Sequence, residues 1–396
     1  MHRKTINRIK LLSLTACFVT YHSYAASNID KASVQNIVDA AIQPLLQKNA
    51  IPGMAIAVTV DGKNYIYNYG VASKETRQKI TDETLFEVGS FSKTFAATIA
   101  SYAEIDGKLS LSDSASKYLP SLRGGNFDAI SLLNFGTHTS SLPLFVPDSI
   151  ENTDQLLDYL KKWQPSHAAG TYRNYSNIGI GMLGMIAAKS MNESYDDVLE
   201  KKLFPELGMT HSYLNVPADQ TNNYAQGYTK KDEPVRLNVG MLASEAYGVK
   251  STAADLIRFI DVNINAGKQG GKWQRAVAAT HIGYFNSGAM TQDLMWEQYP
   301  YPVELKRVLA GNAATYTDAV ATKLNPSLQP QADVLINKTG STNGFATYAA
   351  FVPAKKIGVV ILANKNYAID ERVTAAYQIL TQLDDRTASK SKSPAK

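Results

Sequence analysis

The chain has 396 residues, of which 44% are apolar and 19% charged, and its formal net charge at neutral pH is +5. This length can form one large or two medium domains around a buried core, and the composition is typical of a globular protein. The basic residues form no stripe along the sequence, and no stretch of 18 apolar residues occurs. We therefore expect neither a nucleic-acid partner nor a membrane-spanning helix.

The N-terminal segment has the order of features of a secretory signal peptide. Basic residues without acidic ones open the chain, an apolar run follows over 11–20, and the small residues Ser23 and Ala25 predict cleavage after Ala25. We therefore expect export of the mature chain to the periplasm. A lipoprotein signal that would place a lipid on Cys17 is the less favoured alternative, because the apolar run before Cys17 is short.

Cysteine and histidine chemistry is limited in this sequence. Cys17 is the only cysteine, so a chain cleaved after Ala25 contains no thiol. This excludes disulfides, thiolate zinc sites and cysteine nucleophiles from the mature protein. The six histidines occur at no spacing typical of metal ligands. We expect neither a metal nor a cofactor.

The predicted secondary structure begins with a hairpin. Apolar and aromatic runs over 54–60 and 65–69 flank the turn sequence Asp61-Gly62-Lys63 and predict two strands. A helix over 91–105 follows, with its apolar side chains on one broad face and Gly107 as its C-terminal cap. Later segments predict helices over 154–162, 178–189, 195–203 and 370–383, and strands over 347–352 and 357–362.

Strands lie near both ends of the chain and helices fill its middle. This order predicts an α/β (α+β) fold, with an antiparallel sheet that is flanked by helices and built from both chain ends, and with an inserted, mostly helical domain. The predicted parts are a signal peptide over 1–25, a sheet domain over 26–104 plus 234–383, a helical domain over 105–233 and a disordered tail over 384–396.

A candidate nucleophile stands at the start of the helix over 91–105. Ser90 and Lys93 are three residues apart, which places the lysine one helical turn later on the same face. A serine hydroxyl needs a base to take its proton, and a helix N-terminus offers free N–H groups to an oxyanion. The same spacing recurs at Ser114 and Ser389, but only Ser90 lies between an apolar run and a long apolar helix. The alternative for Ser90 is a plain helix-capping serine.

Two further motifs offer a base and a carboxylate site. Tyr175, whose pKa a neighbouring cation could lower, could deprotonate Ser90, and Asn177 could bind an amide and orient Lys93. The alternative for Tyr175 is a loop tyrosine that packs its ring. Lys338-Thr339-Gly340 precedes a predicted strand and could bind a substrate carboxylate, with Ser341 donating an oxyanion N–H. The alternative is an edge lysine that prevents strand pairing.

With these three motifs in this serial order, the sequence resembles class C β-lactamases, the AmpC-type cephalosporinases. The resemblance runs from about residue 30 to residue 383 and includes segments outside the motifs, among them 51–55, 84–87, 207–209, 245–250, 337–345 and 362–367. It implies the β-lactamase/penicillin-binding protein fold. It also implies hydrolysis of β-lactam antibiotics, with cephalosporins preferred, through a serine acyl-enzyme. The implied partner is a small-molecule β-lactam, and we expect a monomer.

The resemblance also implies a role for each site residue. Ser90 would form the acyl-enzyme, and either Tyr175 or Lys93 would act as the general base. Lys338 and Thr339 would bind the ring carboxylate. The remaining implied contacts are Asn177 with the side-chain amide, the N–H groups of Ser90 and Ser341 with the oxyanion, Tyr247 with the acyl side chain, and Arg372 near the carboxylate.

Three related activities are alternatives. A penicillin-binding D-Ala-D-Ala peptidase would share the motifs but deacylate slowly. An esterase would need no carboxylate clamp, and a sensor would be acylated only once. Departures from the family pattern at Phe145, Met295 and Ile369 leave the ranking of penicillins, cephalosporins and carbapenems open.

Overall fold

The computed structural model describes residues 30–267, 270–313 and 317–391, with the backbone alone over 388–391. The predicted signal peptide and Cys17 lie outside these residues. The helices are α1 (Lys31–Lys48), α2 (Lys93–Ile105), α3 (Ala115–Tyr118), α4 (Leu132–Gly136), α5 (Thr153–Lys162), α6 (Asn177–Ser190), α7 (Tyr195–Val198), α8 (Phe204–Glu206), α9 (Ala243–Ala246), α10 (Ala253–Ile264), α11 (Lys272–Ala279), α12 (Leu305–Ala313) and α13 (Ile369–Ser391).

The strands longer than two residues fall in the first and last thirds of the chain. In chain order, the strands are β1 (Gly53–Val60), β2 (Lys63–Gly70), β3 (Phe86–Glu87), β4 (Tyr172–Arg173), β5 (Ser212–Tyr213), β6 (Gly227–Tyr228), β7 (Pro234–Val235), β8 (Lys250–Ser251), β9 (Gly283–Ser287), β10 (Met290–Gln292), β11 (Glu297–Pro300), β12 (Ala319–Leu328), β13 (Val334–Ser341), β14 (Ala346–Val352) and β15 (Ile357–Ala363).

One antiparallel sheet organises the molecule. Its strand order is β2-β1-β15-β14-β13-β11-β10-β9-β12-β4. Strand β1, near the N-terminus, pairs with β15, near the C-terminus, from Met54 opposite Ala363 to Val60 opposite Ile357. The sheet is therefore built from both chain ends, and the predicted fold class is confirmed.

Helices cover both faces of this sheet, so its central strands are buried throughout. Successive side chains of a strand point to opposite faces. In β1, Ala55 and Ala57 belong to the core cluster on the side of α2 and α10, whereas Met54, Ile56 and Val58 belong to the cluster on the side of α1 and α13. This explains why β1 is an unbroken apolar run rather than an alternating one.

The helices α3 to α8 lie between the two strand-rich parts of the sequence. This agrees with the prediction that helices fill the middle of the chain. The short strand β4 from this region pairs with β12 at the far edge of the sheet, with Arg173 opposite Ala319. The boundaries of the sheet and helical domains at 104/105 and 233/234 stay a prediction. None of the helices in the described residues is both long and apolar enough to cross a membrane.

The last helix departs from the sequence prediction. Helix α13 extends to Ser391, so the predicted start of a disordered tail at residue 384 is wrong. Asp384 explains the extension, because it accepts a hydrogen bond from the Tyr301 hydroxyl at 2.9 Å and pairs with Lys355 at 2.9 Å. These contacts tie the turn beyond Leu383 to the rest of the molecule. Residues 392–396 lie outside the described residues.

Candidate active site

Ser90 lies in a 3-10 turn over Gly89–Ser92, immediately before helix α2. The end of strand β13 packs directly against this turn. A Cβ atom on Gly340 would lie 2.0 Å from the Val88 carbonyl oxygen, and one on Gly89, whose φ is +53°, would lie 2.6 Å from the Ser341 nitrogen. Only glycine permits this approach, which brings the backbone at Ser90 and at Ser341 onto adjacent segments. The arrangement suits two N–H donors to one oxyanion.

Lys93 is the first residue of α2, and its side chain is fully buried. Its Nζ lies 2.9 Å from Ser90 Oγ and donates a hydrogen bond to the Ala246 carbonyl oxygen at 2.7 Å. Burial, and then the charge of Lys338, hold the pKa of Lys93 well below its usual range. An amine in this state can exist uncharged and accept the Ser90 proton.

The prediction that Asn177 orients Lys93 is not supported by a hydrogen bond between them in the described residues. Among the described residues, the hydrogen bonds of Lys93 Nζ go to Ser90 and to Ala246. Ala246 therefore orients the amine. It follows Lys93 by 153 positions in the chain, and no local pattern links the two residues.

Tyr175 is buried beside Ser90 and both lysines. Its hydroxyl accepts a hydrogen bond from Lys338 Nζ at 3.2 Å, and the Lys93 and Lys338 Nζ atoms lie 5.1 and 5.2 Å from its ring centroid. Burial raises the pKa of Tyr175 above its usual value, although its hydrogen bond with Ser90 acts in the opposite direction. The expectation of a lowered pKa for Tyr175 is therefore not met, because loss of hydration outweighs the hydrogen bond with Ser90 and the charge of Arg173.

Two buried groups that the sequence analysis did not identify lie against Tyr175. The His138 ring is 4.0 Å from the Tyr175 ring between centroids, at an interplanar angle of 32°. The Arg173 guanidinium is 5.6 Å from the same ring centroid and pairs with Glu297 at 2.8 Å. The order of residues gives no signal for these contacts, since His138 and Glu297 come from distant segments.

Strand β13 carries the predicted carboxylate site. Lys338 and Thr339 are both buried on β13, and Lys338 Nζ donates to the Thr339 carbonyl oxygen at 3.1 Å as well as to Tyr175. Arg372 of α13 is fully buried and donates to the Gly340 carbonyl oxygen at 2.7 Å and to Ser341 Oγ at 3.0 Å. Arg372 thus supports the end of β13 and places its charge behind Ser341.

A cleft of about 670 Å³ adjoins the site at Asn177. Its lining includes Asn177, Phe145 and Tyr247. The Asn177 side chain is buried, and its Oδ1 accepts no hydrogen bond among the described residues. Because a buried carbonyl oxygen favours a donor, Asn177 suits the N–H of a bound amide. Phe145 stands on the rim of the cleft with 63% of its surface exposed.

The other two residues that depart from the family pattern, Met295 and Ile369, lie away from this cleft. Met295 is 1% exposed in the main apolar core and has a φ of +71°, so it does not form part of the cleft rim. Ile369 is the first residue of α13 and lines a second cleft, of about 490 Å³, together with Ser341 and Arg372. Within the described residues, no cluster of histidine, cysteine, aspartate or glutamate side chains could hold a metal ion.

Comparison with known proteins agrees with this geometry. A family model described as Beta-lactamase matches residues 38–384. A β-lactamase of Providencia stuartii is 47% identical over 359 residues, which cover 89% of this chain and 92% of that protein. A class C β-lactamase crystallised in complex with cefoxitin is 62% identical, with a TM-score of 0.88 over 89% of this chain and 100% of the other.

A second solved relative has a different activity in its name. The D-alanine carboxypeptidase AmpC from Burkholderia cenocepacia is 50% identical, with a TM-score of 0.85 over 89% of this chain and 100% of that chain. These similarities cover both the sheet and the helical middle of the chain. The chain therefore belongs to the β-lactamase family and is a serine hydrolase of the class C type.

Proposed function

We propose that Ser90 hydrolyses β-lactams through a covalent acyl-enzyme. The observation that carries this proposal is the contact of Ser90 Oγ with Lys93 Nζ at 2.9 Å, beside the end of strand β13. Ser90 is half-buried at a turn, so its oxygen has a base on one side and access to a ligand on the other. A nucleophile held within hydrogen-bond reach of a base is the arrangement that acyl transfer requires.

Acylation follows from this geometry. Ser90 Oγ gives its proton to a base and forms a bond with the lactam carbonyl carbon, while the N–H groups of Ser90 and Ser341 stabilise the oxyanion. The lactam C–N bond then breaks, and the ring nitrogen receives a proton. Water releases the ring-opened acid and restores the Ser90 hydroxyl. We infer that Lys93 is the base in the free enzyme, because its Nζ lies 2.9 Å from Ser90 Oγ and burial holds the pKa of Lys93 below its usual range.

Tyr175 then acts on the leaving nitrogen, and Lys338 binds the carboxylate. The Tyr175 hydroxyl lies between Lys338 Nζ and Ser90, so it can relay a proton to the departing nitrogen. Lys338 and Thr339 offer a cation and a hydroxyl to the ring carboxylate. Asn177 accepts the side-chain N–H, and Tyr247 contacts the acyl side chain. The cefoxitin complex of a class C relative supports the binding of a β-lactam at this site, and we propose that cephalosporins are the preferred class.

A D-alanine peptidase activity is the second candidate, favoured by the name of the Burkholderia cenocepacia relative. Both activities begin with acylation of Ser90. They differ in the lifetime of the acyl-enzyme that a β-lactam forms, which is short in a hydrolase and long in a peptidase. The number of β-lactam molecules opened per Ser90 therefore distinguishes them.

The cellular location is a separate proposal. The basic start, apolar run and small residues before position 26 support export by a signal peptide, and hence a periplasmic enzyme. That the enzyme is a monomer stays a prediction. The intact mass of the protein purified from the cell envelope checks this. A mass that begins at Ala26 supports cleavage after Ala25, whereas a lipid on Cys17 contradicts it.

A chromogenic cephalosporin tests the proposed function. We expect sustained ring opening by the wild-type protein and none by Ser90→Ala. Ser114→Ala is the matched control, because Ser114 has the same spacing to a lysine but lies at the start of the short helix α3. A single stoichiometric burst would favour the peptidase, and turnover retained by Ser90→Ala would overturn both candidates.

A further inference from the structure

His138 combines two features that are costly in a folded protein. Its φ is +58°, in the left-handed region that few residues other than glycine adopt. Its side chain is buried, and its Nε2 makes no hydrogen bond among the described residues. A buried polar atom without a partner costs about 1–3 kcal/mol. Such features persist mainly where the surrounding structure uses them.

The contacts of His138 all lead to the segment that carries Tyr175. Its Nδ1 accepts the Ser176 N–H at 3.1 Å, and its carbonyl oxygen accepts the Asn174 N–H at 2.7 Å. Both chain neighbours of Tyr175 are thus bound to His138. The imidazole ring also covers the Tyr175 ring, with 4.0 Å between centroids. His138 therefore restrains Tyr175 through the residue before it, the residue after it and the Tyr175 ring itself.

The charge state of His138 fits this contact. Because Nδ1 accepts the Ser176 N–H, the ring proton is on Nε2 and the imidazole is neutral. Burial, followed by the charges of Arg173, Lys93 and Lys338, holds the pKa of His138 well below its usual value. A neutral ring adds no further positive charge beside Lys93, which has to lose a proton in the proposed mechanism.

We propose that His138 is a positioning residue that fixes the Tyr175 hydroxyl between Ser90 and Lys338. This role rests on the proposed function of Ser90 and deepens it. His138 touches no reacting atom and acts through the Asn174–Ser176 backbone and the Tyr175 ring. Its loss lets the Tyr175 hydroxyl move away from the line between Ser90 and Lys338, and therefore slows the chemical steps more than substrate binding.

Two substitutions separate the hydrogen bond from the ring contact. His138→Phe keeps a ring over Tyr175 but removes the acceptor for Ser176. His138→Asn keeps an acceptor atom near the Nδ1 position and tolerates positive φ, but it removes the ring. The matched control is His281→Phe, since His281 is also buried, neutral and packed against aromatic rings, but it lies against Trp296 and Phe351.

The readout is the rate constant for Ser90 acylation, measured by stopped flow and normalised to the number of sites that acylate. We expect about a tenfold loss in His138→Phe, about a threefold loss in His138→Asn, and less than a twofold change in the substrate dissociation constant for either. His138→Asn admits water beside the lysines, which raises the pKa of Lys93 and moves the acid limb of the pH profile upward.

The outcomes separate this proposal from the one on which it rests. A wild-type protein that is not acylated contradicts both. Acylation within twofold of wild type in His138→Phe overturns the role of His138 alone. An equal loss in His281→Phe overturns it as well, because a general loss of stability would then explain the result.

Discussion

Arg173 and Glu297 form an ion pair, 2.8 Å long, in which each side chain is only 1% exposed. It joins β4 at the edge of the sheet to β11 near its centre, and Arg173 Nε donates a hydrogen bond to Gln292 Oε1 at 2.7 Å. Since Arg173 also lies beside the Tyr175 ring, this pair connects the helical middle of the chain to the strands that form the site.

Breaking this pair from one side leaves a buried charge without its partner. We expect Glu297→Gln to lower the free energy of unfolding by about 3–5 kcal/mol. Asp158→Asn is the control, because the pair of Asp158 with Lys161 is exposed and contributes less than about 1 kcal/mol. Urea denaturation of both variants checks this, and equal effects would contradict the structural role of the buried pair.

Lys93 is expected to be essential for acylation. Lys93→Met keeps much of the side-chain volume but has no amine, so we expect the acylation rate to fall at least about a thousandfold, within the range of losses that follow removal of a catalytic base. Lys250→Met is a matched control, because Lys250 is also buried, has a pKa lowered by burial and donates to a backbone carbonyl, that of Leu214. A comparable loss in both variants, measured by stopped flow, would refute a special role for Lys93.

Glu245 makes the stability of the protein depend on pH. Burial raises the pKa of Glu245 to about 7, from an ordinary value near 4.5. Between these values the folded state binds more protons than the unfolded state. The contribution of Glu245 to stability is therefore fully present below pH 4.5 and is lost as pH rises through 7. The total loss is about 3 kcal/mol.

We expect Glu245→Gln to remove this contribution. Denaturation at pH 5 and pH 8 should show a smaller decline in the variant than in the wild type. Exposed Glu304 supplies the control substitution, Glu304→Gln, which should leave the decline unchanged. The assignment would be contradicted if the stability of the wild-type protein and that of Glu245→Gln declined equally between pH 5 and pH 8.

Phe145 is expected to favour β-lactams with an aromatic acyl side chain. It lies on the rim of the cleft that Asn177 and Tyr247 also line, where contact with an aromatic group buries apolar surface. We expect Phe145→Gln to lower kcat/KM for a benzyl-substituted cephalosporin about tenfold, which corresponds to about 50 Å² of apolar surface. The value for a cephalosporin without an acyl side chain should not change.

A second exposed apolar residue provides the control for this comparison. Val320, on β12, is 59% exposed, and Val320→Gln should leave kcat/KM unchanged for both substrates. If Phe145→Gln slows both substrates equally, Phe145 supports the site as a whole and does not select the side chain.

The sequence identified those site residues that stand close together in the chain. Ser90 and Lys93 are one helical turn apart, and Lys338, Thr339 and Gly340 are consecutive, so local patterns report both groups. Lys338 lies within strand β13, ahead of the predicted strand over 347–352. The structure also brings Tyr175 together with Ser90 and Lys338, as the resemblance implied, but it shows other contacts between distant segments that were not predicted. Lys93 is oriented by Ala246 rather than Asn177, and neither His138 nor Glu297 carried a sequence signal. The raised pKa of Tyr175 likewise depends on burial, which only the folded chain reveals.

The attachment point of the acyl group tests the central claim most directly. The protein is mixed with a slowly released β-lactam, quenched in acid within seconds and digested, and the peptides are sequenced by mass spectrometry. We predict one adduct, with the mass of the intact β-lactam, on Ser90. An adduct on Ser114 or on any other residue, or the same adduct in Ser90→Ala, would contradict the account.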